Sequence, residues 1–562
     1  MASHREQFHR HMVFTMVISL FALMLACSQV DPTQRVATGR MGQVVDWSTN
    51  HILYPRGATS GPIDYSDRDP RAYWSYLKML QGANGSGGGG EVNIRGPHPK
   101  RPSVSAADWS VSLGAAGLAA NMYPSKYSFN INAAPDCTND FVVYTLNTAP
   151  GATQANIVAF NNLYSGSAGG TGICGPGTAT VMWAYQVSTF VLRTSPLISL
   201  DGTKIAFVDG NTPAVFHVLT PTAGEGNVTA PATPTAGEIV NLPLTTGADT
   251  DSSPFIDYAN DVAYVGTNNG RMFKITGVFR GTPALAGAPW PIRVATGQTT
   301  EPVLDFNSGN LIFGSANGLL YGFTPTGTPI PGSPMVVGDG TANGGIKDAP
   351  VLDEVNGFVY AETGGNGSAT AAVMVQTGTT DFTTAQTAVI GASDAAPIHG
   401  GAFNDAYFSS PTNMIGTTSE WFYYVCGNST GGSAFPVLYR VGFNASRQMN
   451  ATVDAAQLSL SANAGEQCSP LTEFRNGIDR LFLGLRMLHV VESFDISSNL
   501  VPTTAGGPLA EAGGTSGIIV DNVSTANQAS SIYFSTIGAS ANCKVAGVNQ
   551  RCAVKLTQAA LQ

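Results

Sequence analysis

The sequence predicts an all-β fold, a β-propeller of seven or eight four-stranded blades with a short N-terminal extension. The first observation is a segment of about 48 residues that recurs in the second half of the chain. Two successive copies match in three stretches, 253–257 with 301–305, 262–267 with 310–315, and 269–275 with 317–323. Four short strands at this period are typical of a propeller blade. A β-sandwich array or a β-helix is the alternative that a strand-rich, glycine-rich composition also allows.

The second observation is a proline that opens successive copies. It stands at Pro196, Pro254, Pro302, Pro350, Pro397 and Pro470. The middle steps are 48, 48 and 47 residues, and the longer steps of 58 and 73 residues indicate insertions such as the Gly/Thr/Pro-rich stretch 220–238. A proline at the first residue of a strand removes no ladder hydrogen bond, so it fits an innermost strand that enters from a loop. Further copies without the proline are predicted near 517–521 and 140–144.

The N-terminus has the pattern of an export signal. A polar start containing Arg5 and Arg10 precedes an apolar run, 12–26, which is shorter than the roughly 20 residues that span a bilayer. The run ends in Ala26 and Cys27, which resembles a bacterial lipobox, so Cys27 is the predicted lipidation site. Cleavage after Ala26 without lipidation is the alternative. We expect an exported bacterial protein that is periplasmic, anchored to the outer membrane or extracellular.

The chain divides into four parts in this interpretation. They are a signal peptide at 1–26, an N-terminal segment at 27–81, a Gly/Pro-rich linker at 82–122 and the propeller at 123–562. Within the N-terminal segment, 69–80 has the pattern of one short helix, with Asp69 as its N-cap and Pro70 at its first helical position. This helix either docks onto a partner or packs on the propeller.

Six of the seven cysteines form neighbouring pairs along the chain once Cys27 is set aside. The pairs are Cys137 with Cys174, Cys426 with Cys468, and Cys543 with Cys552. An oxidising compartment favours three disulfides that close local loops. None of the spacings is C-x-x-C, so neither structural zinc nor covalently attached c-type haem is expected.

Acidic residues precede the opening prolines of several copies. They are Asp251, Glu301, Asp348, Asp394 and, at a looser spacing, Glu466. In a propeller these positions lie near one rim of the central channel, where converging carboxylates suit a hard cation such as calcium. The candidate metal ligands are therefore Asp251, Glu301, Asp348 and Asp394. The alternative is a set of turn and capping residues, since acidic side chains favour loops.

Three histidines lie in the repeat region, at His217, His399 and His489. His217 falls in a predicted strand, whereas His399 follows an opening proline and is a candidate for the channel. A catalytic histidine needs a nucleophile or a carboxylate within hydrogen-bonding distance, which the sequence does not reveal. The chain contains neither a G-x-S-x-G elbow nor an H-E-x-x-H pair. We therefore assign no catalytic residue and no cofactor-binding residue.

The repeat resembles the PQQ-like family of propellers over about residues 190–500. The shared pattern is Ser-Pro-apolar-x-Asp, a Val-Tyr-x-Gly-Thr-like strand and an Asn-Gly turn before an apolar and an aromatic residue, with Trp290 in an outer tail. The resemblance implies a propeller fold. Dehydrogenases of this family hold PQQ beside a vicinal cysteine pair and a calcium ion. This chain has no adjacent cysteines, so no PQQ is expected. Scaffold members, outer-membrane assembly lipoproteins among them, use the propeller only for protein contacts.

Composition narrows the function without naming a ligand. A net charge of −10 and the lack of a basic stripe with interleaved aromatics argue against a nucleic-acid partner. We expect an exported, non-catalytic binding or scaffold protein that takes a protein or carbohydrate ligand on one propeller face, with a membrane contacted only through the lipid on Cys27. An extracytoplasmic enzyme, either a PQQ-type oxidoreductase or a glycan-active propeller, is the alternative. Self-assembly through the weakly charged surface is a third interpretation.

Overall fold

The computed structural model describes residues 108–557 with short gaps and, upstream of them, the two strands 43–46 and 52–53. The gaps are 129–134, 167–170, 295–296, 339–344, 355, 366–370, 395, 410–413, 416–417, 431–434, 456, 477, 498–502, 505–507 and 523–527. The predicted signal peptide, Cys27, the predicted helix 69–80 and its glycine-rich neighbour 82–90 lie outside the described residues. No helix among the described residues is long and apolar enough to cross a membrane.

Strands make up nearly all of the described structure. Three strands precede the first blade, namely β1 (Gln43–Asp46), β2 (Ile52–Leu53) and β3 (Trp109–Gly114). Blade 1 contains β4 (Ser125–Ser128), β5 (Phe141–Thr145), β6 (Ile157–Asn161) and β7 (Thr180–Tyr185). Blade 2 contains β8 (Leu197–Ile198), β9 (Ile205–Val208), β10 (Val215–Leu219) and β11 (Ile239–Pro243). Blade 3 contains β12 (Phe255–Asp257), β13 (Val262–Gly266), β14 (Arg271–Thr276), β15 (Ala284–Leu285) and β16 (Ile292–Arg293). Blade 4 contains β17 (Val303–Leu304), β18 (Leu311–Gly314), β19 (Leu319–Phe323) and β20 (Met335–Val336).

The second half of the chain continues the same plan. Blade 5 contains β21 (Val351–Asp353), β22 (Phe358–Thr363), β23 (Ala371–Gly378) and β24 (Ala385–Ala392). Blade 6 contains β25 (Ala402–Phe403), the short helix α1 (Asp405–Ser409), a small hairpin of β26 (Met414–Ile415) and β27 (Thr418–Ser419), then β28 (Phe422–Asn428), β29 (Pro436–Gly442) and β30 (Leu458–Ser459). Blade 7 contains β31 (Thr472–Asn476), β32 (Ile478–Leu485), β33 (Val490–Asp495), β34 (Thr503–Thr504) and β35 (Leu509–Ala510). Blade 8 contains β36 (Ile519–Asn522), β37 (Ser530–Ser535), β38 (Ser540–Val545) and β39 (Val548–Thr557).

The blades form a ring in which the first strand of each sheet lies closest to the central axis. The strands of blades 2 to 4 are antiparallel and follow chain order, as in β17-β18-β19-β20 of blade 4. First strands contact first strands of the next blade, for example β12 with β17 and β31 with β36, so they lie innermost. The innermost strands β8, β12, β17 and β21 each begin directly after an opening proline. The predicted β-propeller is confirmed, and its blade count is eight.

The ring closes by combining strands from both ends of the described chain. Strand β3 pairs with β39, so blade 8 has the order β36-β37-β39-β3. The indole Nε1 of Trp109, the first residue of β3, donates to the carbonyl of Leu163 in blade 1 (3.1 Å). The apolar stretch 552–556, which the sequence indicates as a final strand that could take part in such a closure, lies within β39, the third strand of this blade. The range 82–122, predicted as a linker, therefore contributes a strand to the propeller.

Two upstream strands lie along the inner edges of two blades. Strand β1 pairs antiparallel with β4, the innermost strand of blade 1. Strand β2 pairs in parallel with β21, the innermost strand of blade 5. The backbone of innermost strands is the free edge of each sheet that faces the axis, and added strands satisfy its hydrogen-bonding groups.

Continuous apolar strands build the core between the blades. All five residues of β5 and all five of β13 are buried, because each sheet packs against a neighbour on both faces. At the opposite end from the opening prolines, three innermost strands end at or just before an aspartate that caps the following turn. The pairs are Asp257 with the N–H of Asn260 (3.1 Å), Asp305 with Asn307 (3.0 Å), and Asp353 with Asn356 (3.1 Å).

Buried ion pairs accompany the junction between blades 8 and 1. Nζ of Lys126 in β4 lies 2.9 Å from Oδ2 of Asp521 in β36, and both side chains are fully buried. Nζ of Lys555 in β39 lies 3.6 Å from Oδ2 of Asp108. Burial lowers the pKa of Lys555 to about 8, although both carboxylates oppose that shift. Breaking a buried pair is strongly destabilising, so these contacts favour one register at the closing junction.

All three predicted disulfides are present. They join Cys137 to Cys174, Cys426 to Cys468, and Cys543 to Cys552. The second connects β28 of blade 6 with the connection that leads into blade 7. The third lies within the β38–β39 hairpin of blade 8.

Candidate functional site

The antiparallel order sorts the loops of the propeller onto two faces. The turn after each second strand and the connection into each innermost strand lie on the same face, which we call the upper face. In blade 7 the N–H of Arg486, in such a turn, donates to the carbonyl of Gln467, in such a connection (3.0 Å). All of the acidic residues singled out from the sequence lie in these connections. The turn-capping aspartates of the innermost strands belong to the lower face.

Hydroxyl side chains hold the rim of the upper face rigid. Oγ of Ser252 accepts a hydrogen bond from the N–H of Gly266 (3.1 Å) and donates to the carbonyl of Thr300 in the next blade (2.9 Å). Oγ1 of Thr300 in turn accepts from the N–H of Gly314 (2.9 Å). Each hydroxyl thus caps the end of a second strand, and the residue spacing repeats with the blade.

Asp251 belongs to an ion-pair network on this rim. Its Oδ1 lies 3.2 Å from Nε of Arg193, whose Nη2 lies 2.9 Å from Oδ2 of Asp249. The side-chain amides of Asn268 and Gln298 donate to Oδ2 of Asp251 (3.1 and 3.2 Å). The network joins three successive connections of the ring, so the carboxylate of Asp251 serves to fix them.

Asp348 contacts His399 from the next blade. Nδ1 of His399 lies 3.0 Å from both carboxylate oxygens, and the N–H of Gly400 donates to Oδ2 (2.9 Å). The side chains of His399 and Asp348 are only 6% and 7% exposed. Asp348 is the carboxylate partner that the sequence did not reveal. It orients the imidazole so that Nε2 lies on the side away from Asp348.

Glu301 and Asp348 both affect the pKa of the same neighbour, Tyr123. Burial raises the pKa of Tyr123 well above its ordinary value, and the charges of Asp348 and Glu301 raise it further. Tyr123 precedes the innermost strand of blade 1, whereas the two carboxylates precede those of blades 5 and 4. These three side chains therefore interact electrostatically across the mouth of the ring.

Asp394 and Glu466 have capping roles. Oδ1 of Asp394 accepts a hydrogen bond from the N–H of Ala396 (2.7 Å). The carboxylate of Glu466 accepts from the N–H groups of Met487 (2.6 Å) and Leu488 (2.8 Å). These contacts match the alternative of capping residues that the sequence left open.

The four candidate metal ligands do not come together. Asp251, Glu301, Asp348 and Asp394 lie in four different connections, and of these Glu301 and Asp348 share one neighbour, Tyr123. Among the described residues there is no group of three or more His, Cys, Asp or Glu side chains that could hold a metal ion. The calcium site stays a prediction, and the rim contacts give it no converging set of oxygens.

His217 is a buried strand residue in blade 2. Its Nδ1 lies 2.7 Å from Oδ1 of Asn241, and its Nε2 lies 3.1 Å from Oδ2 of Asp209. The imidazole also stacks on Phe207 with 5.1 Å between ring centres. Both ring nitrogens are thus engaged inside the blade, so His217 has a structural role.

The turn between β32 and β33 presents two apolar side chains on the upper face of blade 7. Met487 and Leu488 are 49% and 40% exposed, and their backbone N–H groups donate to the carboxylate of Glu466. The next residue, His489, has a φ of +56°, and its Nδ1 accepts a hydrogen bond from Gly513 (2.8 Å). A positive φ is unfavourable outside glycine, so these contacts select a single strained conformation for the turn.

A second apolar projection extends from blade 8. Strand β38 pairs with the first residues of β39, which forms a hairpin at an upper-face turn. The disulfide Cys543–Cys552 closes it, and Gly547 at its tip has a φ of +83°, as tight hairpin turns require. Val545 and Val548 flank the tip and are 38% and 61% exposed. The hairpin therefore carries exposed apolar side chains on a cross-linked support.

A shallow pocket lies beside the turn of blade 7. Its enclosed part has room for about one water molecule. Blades 6, 7 and 8 all contribute to its walls, through His399, Gln467, Ser469, Gly484, Arg486 and Thr515. Cys468, which the disulfide ties to blade 6, also lines it, so one wall is covalently fixed.

Arginine and carboxyl side chains both lie around the pocket. Nη1 of Arg486 donates to Oε1 of Gln467 (2.9 Å), and Arg486 forms no ion pair with a carboxylate in the described part of the chain. Burial lowers the pKa of Arg551, and the charge of Arg486 lowers it further, so the two guanidinium groups lie near each other. Burial raises the pKa of Glu511 to about 8, which leaves that carboxyl mostly uncharged at neutral pH.

A second protonatable carboxyl lies in blade 5. Glu362 in β22 accepts a hydrogen bond from the hydroxyl of Tyr423 (2.5 Å). Burial raises the pKa of Glu362 to about 7; the tyrosine hydroxyl opposes this shift and the charge of Asp348 adds to it. Glu362 therefore gains and loses its proton close to neutral pH.

Most residues of the blade 7–8 sector were not among the predicted site residues. The turn residues 486–488 stand where the copies in blades 3 and 4 have Asn-Gly turns, at 269–270 and 317–318. His489 takes the positive φ that the glycines of those turns adopt, at 76° and 72°. The replacement of Asn-Gly by large side chains in one repeat is the sequence signal that could have identified this sector.

The chain is similar to several solved structures. BamB from Moraxella catarrhalis is 15% identical with a TM-score of 0.38, over 79% of this chain and 97% of that chain. Sqt1 from Chaetomium thermophilum is 10% identical with a TM-score of 0.46, over 81% of this chain and 100% of that chain. No family model and no curated protein matches the sequence. At these identities and TM-scores the likeness supports no statement about function.

Proposed function

We propose that the chain is an exported, non-catalytic binding protein whose upper face in blades 7 and 8 takes a peptide segment of a protein ligand. The observation that supports this most is the pair of rigid apolar projections, Met487 with Leu488 and Val545 with Val548. Exposed apolar patches mark interaction sites more often than scattered single side chains do, and the two projections lie on neighbouring blades of the same face. Loops on a rigid scaffold are also where binding residues concentrate.

A peptide fits this surface better than the carbohydrate ligand that the sequence also allowed. Apolar side chains of an extended peptide can contact the two projections, and its polar groups can meet the donors of the pocket between blades 7 and 8. Interfaces combine an apolar centre with a polar rim in this way. Binding needs little reorganisation, because Glu466 and the Cys543–Cys552 disulfide already fix both projections.

The cellular setting is part of the proposal. Three disulfides are typical of proteins that fold in oxidising compartments. They support export, and with it a periplasmic or extracellular location, whereas the proposed lipid on Cys27 rests on the sequence pattern alone. Membership of the PQQ-like repeat family remains a proposal that rests on the repeat pattern in the sequence.

Selection from a random peptide library on the immobilised protein tests the proposed function. We expect peptides with apolar residues to be enriched, and we expect Met487→Asp and Leu488→Asp each to weaken their binding at least tenfold. Val336→Asp is the matched control, because Val336 is 64% exposed on the outermost strand of blade 4, far along the ring. A failure to enrich any peptide, or equal losses in all three variants, would contradict the proposal.

An extracytoplasmic enzyme is the second candidate, and one observation favours it. Asp348 orients the imidazole of His399, and His399 lines a pocket, which is the arrangement that a general base requires. The nearby hydroxyl of Ser469 is a poor candidate for the nucleophile that such a base would activate. It already accepts a hydrogen bond from the N–H of Gly484 (2.9 Å) and donates one to the carbonyl of Pro470 (3.1 Å). Hydrolysis of chromogenic esters and glycosides by the wild type, lost in His399→Ala, would favour the enzyme.

A further inference from the structure

We propose that the side chains of Lys555 and Asp108 form an intramolecular isopeptide bond, a covalent cross-link between the two strands that close the propeller ring. Lys555 lies in β39, and Asp108 directly precedes β3. The bond would join opposite ends of the described chain. The proposal concerns the scaffold, so it does not depend on which ligand the upper face binds.

Strand pairing brings the two side chains together. Lys555 is the register partner of Trp109, and the N–H of Asp108 donates to the carbonyl of Lys555 (3.0 Å). Nζ of Lys555 lies 3.6 Å from Oδ2 of Asp108, and both side chains are fully buried. A small movement therefore brings the nitrogen onto Cγ of the carboxyl group.

Neighbouring groups keep the pair away from water. Lys555 is also the register partner of Tyr533, whose ring centre lies 5.9 Å from that of Trp109. The backbone of Gly166 in blade 1 packs on Asp108, so closely that a Cβ atom added to the glycine would lie 3.2 Å from Cβ of Asp108. A buried site of this kind disfavours the charged forms of both reacting groups.

The contacts of Lys555 favour its neutral amine. Nζ lies 3.5 Å from the carbonyl oxygen of Ser165, 3.4 Å from Oε1 of Gln528 and 3.6 Å from Asp108. Hydrogen bonds from an ammonium group to a carboxylate are shorter, at about 2.7–2.9 Å. Burial lowers the pKa of Lys555 to about 8. The neutral amine, which is the nucleophilic form, is therefore accessible close to neutral pH.

The contacts of Asp108 favour its protonated carboxyl. Burial raises the pKa of Asp108, although Lys555 and Thr557 oppose the shift. The hydroxyl of Thr557 contacts both Oδ2 of Asp108 and Oε1 of Gln528 (2.6 Å). A hydroxyl has a single hydrogen and a carboxamide oxygen only accepts. Both contacts are therefore hydrogen bonds only when Asp108 carries a proton.

The reaction is a condensation that balances without a co-reactant. Nζ of Lys555 attacks Cγ of Asp108, and the nitrogen–carbon bond forms. The bond between Cγ and the carboxyl hydroxyl breaks, and that hydroxyl leaves as water with one hydrogen of the amine. The product is a neutral amide, which removes the need to keep two charges in a buried site.

The neighbouring pair of Lys126 and Asp521 provides an internal comparison. Its side chains are also fully buried, but Nζ lies 2.9 Å from Oδ2. This is the distance of a charge-assisted hydrogen bond, and a protonated lysine is not a nucleophile. We therefore expect this pair to stay an ion pair.

Intact-mass spectrometry of the denatured and reduced full chain tests the proposal. We expect the wild type to be lighter, by the mass of one water, than its sequence and observed N-terminus require. Lys555→Gln should have its full calculated mass. Lys544→Gln is the matched control, because Lys544 is an exposed lysine of the same blade, and it should still lack one water. A wild type of full mass would overturn the proposal.

Tryptic mapping of the wild type locates the bond and needs no variant. Trypsin does not cleave after an acylated lysine, so peptide 552–562 should stay intact at Lys555 and should be joined to the peptide that contains Asp108. Cleavage after Lys126 should be normal. Recovery of separate peptides 552–555 and 556–562 in full yield would overturn the proposal. A cross-link between Lys126 and Asp521 instead would overturn the assignment to Lys555.

Discussion

Nδ1 of His399 lies 3.0 Å from both carboxylate oxygens of Asp348, so a blade 6 side chain is fixed by the connection that leads into blade 5. The N–H of Gly400 donates to the same carboxylate (2.9 Å). One acidic side chain thus accepts from two groups of the next blade. Because His399 lines the pocket, this contact connects a wall of the pocket with the segment that leads into blade 5.

Removal of the Asp348 carboxylate should weaken the junction between blades 5 and 6. We expect Asp348→Ala to lower the free energy of unfolding by about 2–3 kcal/mol, because two buried donors lose a charged acceptor. Asp394→Ala is the control, since Asp394 caps only the N–H of Ala396, and it should cost about 1 kcal/mol. Urea unfolding of both variants checks this. Equal losses would show that the His399 contact contributes nothing beyond a turn cap.

Glu362 should make stability depend on pH. Its pKa is raised from 4.5 to about 7 by burial, so the folded protein holds a proton that the unfolded chain has lost. This contribution is fully present below about pH 4.5 and is lost as the pH rises through about 7. In the wild type, the free energy of unfolding should therefore fall by an amount on the order of 3 kcal/mol between pH 4.5 and 8. We expect Glu362→Gln, which keeps a hydrogen-bonding partner for Tyr423, to abolish this fall. Urea unfolding at several pH values measures the difference between the two proteins.

Glu225→Gln is the matched control for the pH series. Glu225 also accepts a hydrogen bond from a tyrosine hydroxyl, that of Tyr185 (2.8 Å), but it is partly exposed. Its replacement tests whether the loss of a carboxylate–tyrosine hydrogen bond by itself changes the profile. A Glu362→Gln profile that is parallel to the wild type would mean that Glu362 titrates alike in the folded and unfolded states.

Gly517 should be intolerant of any side chain. A Cβ atom added there would lie 2.5 Å from the ring of Tyr123, where blade 8 meets blade 1. Because both residues are held in the buried rim, we expect Gly517→Ala to cost about 1–3 kcal/mol. Gly151→Ala, where a Cβ would meet nothing within 4 Å, should change stability by less than about 0.5 kcal/mol. Thermal unfolding of both variants compares them, and a tolerant Gly517 would show that the rim can shift.

The disulfides should differ in their contribution to stability. Cys426 and Cys468 are 42 residues apart, whereas Cys543 and Cys552 are 9 apart. Cross-linking a longer loop restricts the unfolded chain more, so replacing the first pair by alanines should cost about 4 kcal/mol and replacing the second about 2.5 kcal/mol. Urea unfolding of the two double variants measures the order. The reverse order would mean that effects in the folded state outweigh loop entropy.

The sequence was sufficient to predict the ring and a final strand that could take part in its closure, but not the strand that pairs with it. Evenly spaced opening prolines predict the innermost strands correctly, because proline is compatible with the start of a strand and each blade repeats the same unit. Strand β3 was not predicted, because its partner β39 is more than 400 residues away along the chain and belongs to no local pattern. A stretch flanked by Gly/Pro-rich residues therefore resembled a linker.

The candidate site was harder to predict for a related physical reason. Asp348 and His399 were both noted from the sequence, but their contact depends on the angle between neighbouring blades, which the repeat length does not specify. Thr515 was not noted, because a buried threonine has a role only through what surrounds it. The turn at 486–488 could have been recognised, since it breaks the Asn-Gly pattern of two other blades.

Hydrogen–deuterium exchange of the full chain with a selected peptide tests the central claim, that the upper face of blades 7 and 8 is the binding surface. We predict slower exchange confined to residues 466–489, 511–517 and 540–551, and no change in the lower-face turns 258–261 and 305–310. Protection of those lower-face turns, or of blades 2 to 4 alone, would contradict the claim.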